Sequence, residues 1–106
     1  MSYFRLPVTS MRQYCEDIYK KHGFTQEESK RITDVILTSD LYGIESHGVQ
    51  RMIRYHNSLI KGLVDPKAKP ETVFETPVSA VIDADKTMGQ VTACAAMKLA
   101  IGKAKK

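Results

Sequence analysis

A chain of 106 residues with 42% apolar and 26% charged side chains has enough hydrophobic content for a small core, which excludes wholesale disorder. Sixteen Lys and Arg against twelve Asp and Glu leave a formal charge of +4, too small and dispersed to mark a polyanion-binding arm. Cys15 and Cys94 form no CxxC pair, and no apolar run makes a signal h-region or approaches the ~20 residues of a membrane span, so a disulfide framework and a zinc site are excluded and a cytoplasmic protein without a membrane partner is expected.

In chain order, Ser10 with Gln13 reads as a capping box opening a first helix. Met11, Cys15, Ile18 and Tyr19 form its buried stripe, and Gly23 ends it. A second capping box, Thr25 with Glu28, opens the next helix. Its stripe is Ile32, Val35 and Ile36, and Gly43 terminates it. Ser46 is expected to cap a third helix reaching about Lys61 before Gly62, with Val49, Met52, Ile53, Leu59 and Ile60 gathered on one side. Asp65, Pro66 and Pro70 then break helix. Two β-rich stretches follow, Thr72 to Glu75 and Val78 to Asp83, with Thr76 and Pro77 as the turn between them. After a polar loop from Ala84 to Thr87, Gln90 to Lys105 reads as a helix facing inward through Val91, Ala95 and Leu99. Lys103, Lys105 and Lys106 suit the negative end of its dipole. The fold class is therefore α+β, with a helical segment at 1–64 and a strand-strand-helix unit at 65–106. A strand followed by a helix usually belongs to a larger sheet.

Chemistry concentrates between Asp40 and Tyr55. On the expected third helix His47, Arg51 and Tyr55 stand at i, i+4 and i+8, on a face separate from the apolar stripe. Arg51 has the fork that grips a carboxylate. His47 is a hydrogen-bonding group or proton carrier near neutral pH, Tyr55 is a donor, and a helix N-terminus at Ser46 favours an anion. Together Ser46, His47, Arg51 and Tyr55 are expected to bind a small 2-hydroxy or 2-keto acid, His47 being the catalytic candidate. Taken singly, Ser46 is an ordinary cap and Arg51 a surface charge. Gly48 is less easily dismissed, because glycine costs a helix about 1 kcal/mol relative to alanine, which points to close approach by another group. Neither GxGxxG after a strand nor GxxxxGK[ST] is present, and Gly89 alone reads as a turn.

The run Asp40, Gly43, Ser46, His47, Gly48, Arg51, Tyr55, Leu59 and Gly62 resembles the D-x-x-G-x-x-S-H-G-x-x-R-x-x-x-Y-x-x-x-L-x-x-G pattern of the type-2 malate/L-lactate dehydrogenases, which include ureidoglycolate, sulfolactate and piperideine-carboxylate enzymes. The likeness continues through Pro66, the strand ending at Asp83, and Met88-Gly89 before an alanine-rich helix. It implies an oxidoreductase moving a hydride between NAD or NADP and the 2-position of a small acid, on a larger non-Rossmann α/β sheet. It also implies that Ser46, His47 and Arg51 are substrate-site residues, with Tyr55 a neighbour. Members of the family are much longer. The resemblance therefore implies an N-terminal portion that is inactive alone, with the acid/base histidine of an Asn-His-Phe-Gly-like motif and most cofactor contacts beyond Lys106.

A reading from another class is a small basic helical nucleic-acid-binding module using Gln50, Arg51, Arg54 and Asn57. It leaves Val78 to Lys106 without a role, and nucleic acid is not the expected partner. A homodimer is compatible with the enzyme reading, since the strand edge at Val78 to Asp83 needs cover.

Overall fold

In the computed structural model, which describes residues 2–106, helix α1 is Val8–Lys21 and enters from Pro7, at φ −61 and ψ 133. Proline's fixed φ suits a helix entrance, and its missing N–H would have had no partner there. The helix therefore starts two residues before Ser10, and the expected Ser10–Gln13 box does not form. Gln13 instead donates to Asp17 at 2.8 Å. The far end matches expectation: Gly23 has φ +105, its N–H bonds to Lys20 O at 3.0 Å, and Phe24 N–H bonds to Tyr19 O at 3.2 Å. This is a Schellman closure, whose apolar contact is the edge-on packing of Phe24 against Tyr19, ring centroids 6.0 Å apart.

Helix α2 (Gln26–Leu41) opens on the expected box. Thr25 Oγ1 accepts from Glu28 N–H and the Glu28 carboxylate accepts from Thr25 N–H. Cys15 and Tyr19 of α1 are buried together with Ile32, Ile36 and Leu37 of α2 and Phe24. Each large apolar side chain so placed contributes about 1.5–3 kcal/mol. Val35, expected in the stripe, is instead exposed, and Leu37 is buried; the buried arc includes Ser29 and Thr33 and is rotated from the one that hydrophobicity alone marks.

Arg12 of α1 and Lys30 both bind the Asp34 carboxylate on α2, Lys30 at 2.7 Å. Partial burial raises the Asp34 pKa, but the hydrogen bonds from Lys30 and Arg12 outweigh it and hold the group below its ordinary 3.8. A folded value below the unfolded one means that the stabilisation is complete above about 3.8 and is lost as pH falls through the lower folded value. Asp34→Asn should therefore flatten the acid limb of the stability profile, measured by urea unfolding from about pH 2 to 6. Parallel profiles for the two proteins would show that the cluster contributes nothing in solution.

The expected single helix from Ser46 to Lys61 is not what forms. Two 3₁₀ turns, Glu45–His47 and Val49–Arg51, precede α3 (Met52–Ile60), and Gly48 separates them at φ −90 and ψ −147. Val49, Met52 and Leu59 are half-buried, whereas Ile53 and Ile60 are 73% and 68% exposed, so the expected five-residue apolar stripe is not a buried face. The stop is as expected: Gly62 N–H bonds to Leu59 O and Leu63 N–H to Ser58 O.

Contacts divide the chain into two compact units, one through Tyr55 and one from His56. In the second, β1 (Glu71–Thr76) and β2 (Ser79–Asp83) form an antiparallel hairpin around Pro77 and Val78. The register shifts between Thr72 and Phe74, leaving Val73 as a bulge. Ala80 and Ile82 are half-buried while Ser79, Val81 and Asp83 are exposed, the alternation of a sheet with one covered face. β2 packs on α4 (Gly89–Ala104), whose Val91 is buried and whose Ala95 and Leu99 are half-buried. Lys103 does more than face a dipole, since its ammonium bonds Glu75 at 2.7 Å and Thr76 O at 2.5 Å. Among the described residues, four α-helices and one two-stranded sheet make an α+β arrangement, as expected.

Candidate functional site

The site lies wholly in the first unit, in the segment leaving α2. Gly43, at φ +78, turns the chain: its N–H bonds to Asp40 O at 3.0 Å and Ile44 N–H to Ser39 O at 2.8 Å. A side chain there would be strained, so this glycine fixes the exit direction. The next residues coil into the first 3₁₀ turn. His47 N–H bonds to Ile44 O and Gly48 N–H to Glu45 O, both at 3.1 Å; Arg51 N–H then returns to Gly48 O at 3.0 Å.

Three of the four expected residues meet. Ser46 Oγ lies 2.9 Å from His47 Nδ1, and Arg51 Nε donates to Ser46 O at 2.7 Å. Ser46 and His47 are exposed and Arg51 is half-buried. The arginine is thus anchored to the loop backbone through its Nε. Tyr55 is not in this hydrogen-bonded group. It is half-buried and close enough to Tyr19 that its charge adds to the effect of burial in raising the Tyr19 hydroxyl well above its ordinary range.

Two parts of the sequence argument need correction. His47, Arg51 and Tyr55 do not share one helical face, because Gly48 interrupts the helix; a folded loop brings the first two together instead. Nor does Ser46 start an α-helix. The amides of His47, Gly48, Val49 and Arg51 all donate within the chain, so no free helix terminus awaits an anion.

The close approach expected at Gly48 is real, and its partner is Asp40. Gly48 is buried, and a Cβ built on it would overlap the Asp40 carboxylate. Asp40 Oδ2 also accepts from Val49 N–H at 2.8 Å. Sequence reasoning included Asp40 in the motif and gave it no task. The available signals were a glycine at an unfavourable position and an acid at the C-terminal end of a helix, where the dipole disfavours it.

Beneath the loop, Cys15 Sγ lies 3.4 Å from Met52 Sδ; burial, then the nearby Asp40 charge, push the Cys15 thiol pKa up. Buried, weakly acidic thiols are poor nucleophiles, so Cys15 is core and not part of the chemistry. No cluster of three His, Cys, Asp or Glu able to hold a metal occurs among the described residues. The nucleic-acid reading keeps only Arg54 and Asn57 on α3: Gln50 donates to Glu45 O at 2.5 Å and Arg51 to Ser46 O, and both precede that helix.

A family model described as malate/L-lactate dehydrogenase matches residues 6–106. The malate dehydrogenase of Pyrococcus horikoshii is 39% identical over 104 residues, which is 98% of this chain and 29% of that protein. The L-sulfolactate dehydrogenase of Methanocaldococcus jannaschii is 44% identical over 89 residues, 84% of this chain and 26% of that protein. The solved structure of malate dehydrogenase from Pyrococcus horikoshii OT3 superposes with a TM-score of 0.94 at 40% identity, over 97% of this chain and 30% of the other. The chain thus spans less than a third of the length of these relatives.

Proposed function

This chain belongs to the malate/L-lactate dehydrogenase family, and on that premise we propose that it is the N-terminal, acid-holding part of an NAD- or NADP-dependent 2-hydroxy-acid dehydrogenase. The observation that carries the reading is the Arg51 guanidinium, tied by Nε to Ser46 O, which leaves a planar Nη pair next to the Ser46–His47 couple. A bidentate fork suits a carboxylate. Ser46 holds the imidazole at Nδ1 and leaves Nε2 for the oxygen on the substrate's 2-carbon. With the Ser46 hydroxyl donating to Nδ1, Nε2 carries a proton and hydrogen-bonds a keto oxygen. With Nδ1–H donating to Oγ, Nε2 accepts from a hydroxyl. His47 is therefore proposed as a catalytic-site contact and auxiliary proton carrier, with Ser46, Arg51 and Tyr55 around the acid.

The loop itself does not fit a dinucleotide. Its amides at His47, Gly48, Val49 and Arg51 are used within the chain, which speaks against a cradle for phosphates, and no step is assigned to the cofactor here. When bound by other parts of the polypeptide, the nicotinamide supplies hydride exchange. We further propose 1–64 as the substrate-site segment, 65–106 as the start of an α/β domain on a larger non-Rossmann sheet, and a cytoplasmic homodimer. No described helix is long and apolar enough to cross a membrane, and Ile53 and Ile60 are available for a protein contact.

The test is an absorbance assay of the dehydrogenase polypeptide carrying these residues, with malate, sulfolactate and lactate, each with NAD and NADP. Cofactor-dependent turnover of at least one acid is expected, and none from the 106 residues alone, which span under a third of the relatives' length. No turnover of any acid by the long polypeptide, with sequence-specific duplex DNA binding instead, would replace this reading with the nucleic-acid one.

A further inference from the structure

Apart from the side-chain bonds of Gln50 to Glu45 O and Arg51 to Ser46 O, the Ser46–Arg51 loop has little of its own that spans Gly48. Each of its two 3₁₀ turns has three residues, and such short turns have poor hydrogen-bond geometry and marginal stability. The turns meet at Gly48, and the two halves of the arginine anchor sit on opposite sides of that joint: the Ser46 carbonyl belongs to the first turn and the Arg51 side chain to the second. Rotation at Gly48 would separate them.

We propose that Asp40 is the positioning residue of this site, pegging the backbone at 48 and 49 so that Ser46 O stays against Arg51 Nε and the guanidinium presents its Nη pair end-on to a carboxylate. The inference rests on the substrate-site reading given above. Asp40 is set in the last turn of α2, which Gly43 and Ile44 close by their bonds to Asp40 O and Ser39 O. From that fixed base its carboxylate bonds Val49 N–H at 2.8 Å and fills the space where a side chain at 48 would lie. One group thus blocks the joint sterically and ties it by a charge-assisted hydrogen bond, the stronger kind. α2 has no basic residue in its last turn to offset the acid, so a carboxylate there costs helix stability that the contact with the loop offsets.

The experiment has a structural arm and a kinetic arm. By heteronuclear NMR of the 106-residue chain, the Arg51 Nε–H signal should be dispersed and slow to exchange in the parent protein. In Asp40→Ala it should move to the position of free arginine and exchange about tenfold faster, in line with the loss of one hydrogen bond, while the Ile32 and Ile36 methyl signals report an intact core. Asp40→Asn, whose amide oxygen still accepts from Val49 N–H, should restore it. An unmoved Arg51 Nε–H in a folded Asp40→Ala overturns the proposal. Where Asp40→Ala loses its core signals, Asp40→Asn decides: Val49 and Arg51 protected together support the peg, and Val49 protected with Arg51 released overturns it.

In the long polypeptide, Asp40→Ala should raise KM for the acid more than it lowers kcat, since a misaligned fork weakens ground-state and transition-state binding alike, and Asp40→Asn should recover most of the loss. If Arg51→Lys impairs the enzyme and Asp40→Ala does not, positioning by Asp40 fails while the substrate site stands. If Arg51→Lys changes nothing, both fail.

Discussion

Arg51→Lys in the dehydrogenase polypeptide should lower kcat/KM for the acid substrate about ten- to a hundredfold, equivalent to losing roughly 1.5–3 kcal/mol of charge-assisted hydrogen bonding to a desolvated carboxylate. Charge is conserved in this substitution, so the expected loss is geometric. Arg51 uses Nε to bond Ser46 O at 2.7 Å and keeps a rigid pair of donors beyond it. Lysine has one ammonium, which cannot hold the carbonyl and present a planar fork at once. KM for the cofactor should stay nearly constant, because the loop amides of His47, Gly48, Val49 and Arg51 are already bonded within the chain and not offered to a phosphate. Steady-state kinetics with the acid varied, beside thermal unfolding, is the measurement. An unaltered kcat/KM would make Arg51 a surface residue and remove the centre of the proposed site.

Gly48→Ala should destabilise the first unit by at least about 1–3 kcal/mol, the range for forcing a group into filled space, with the displaced charge-assisted hydrogen bond adding to it. The three atoms nearest a Cβ at 48 all belong to the Asp40 carboxylate, so the carboxylate must swing away and release Val49 N–H. The pair of sites therefore couples, and a double-mutant cycle reads the coupling directly. Asp40→Ala alone removes the bond to Val49; adding Gly48→Ala to it should cost little more, because the obstruction is gone. Urea unfolding of the four proteins gives the cycle. Additive costs would mean that the alanine is rejected by something other than Asp40.

What the sequence disclosed follows the range of the interactions involved. The Thr25–Glu28 box and the turns at Gly23, Gly43 and Gly62 are built from residues within one or two turns of one another, and each forms where the pattern places it. Ser10 has the same local signature as Thr25 but lost to Pro7, whose restricted φ opened the helix sooner. The hairpin was legible from β-rich composition and Pro77, while its bulge at Val73 depends on cross-strand register that composition does not encode. Ser46, His47 and Arg51 do meet in space, but not through the shared helical face that sequence spacing suggested. Helical periodicity was applied across Gly48, and the contact that interrupts it comes from Asp40, eight residues earlier and on another helix. The burial of Leu37 in place of Val35 likewise depends on how α1 lies on α2, a tertiary fact.

Among the described residues most pairings between elements join near neighbours in sequence: α1 with α2, α2 with the two 3₁₀ turns, β1 with β2, and β2 with α4, with Cys15–Met52 and Lys103–Glu75 as the longer-range links. Low contact order of this kind goes with folding in microseconds to milliseconds, roughly, because little loop entropy is spent before contacts form. The proposed acid-binding loop, with Asp40 and Arg51 at its ends, is closed within twelve consecutive residues. During synthesis at about 5–20 residues per second that loop can take shape as soon as α1 and α2 have paired. Its geometry is then a local product of chain growth, set by residues that leave the ribosome within a second or so of one another.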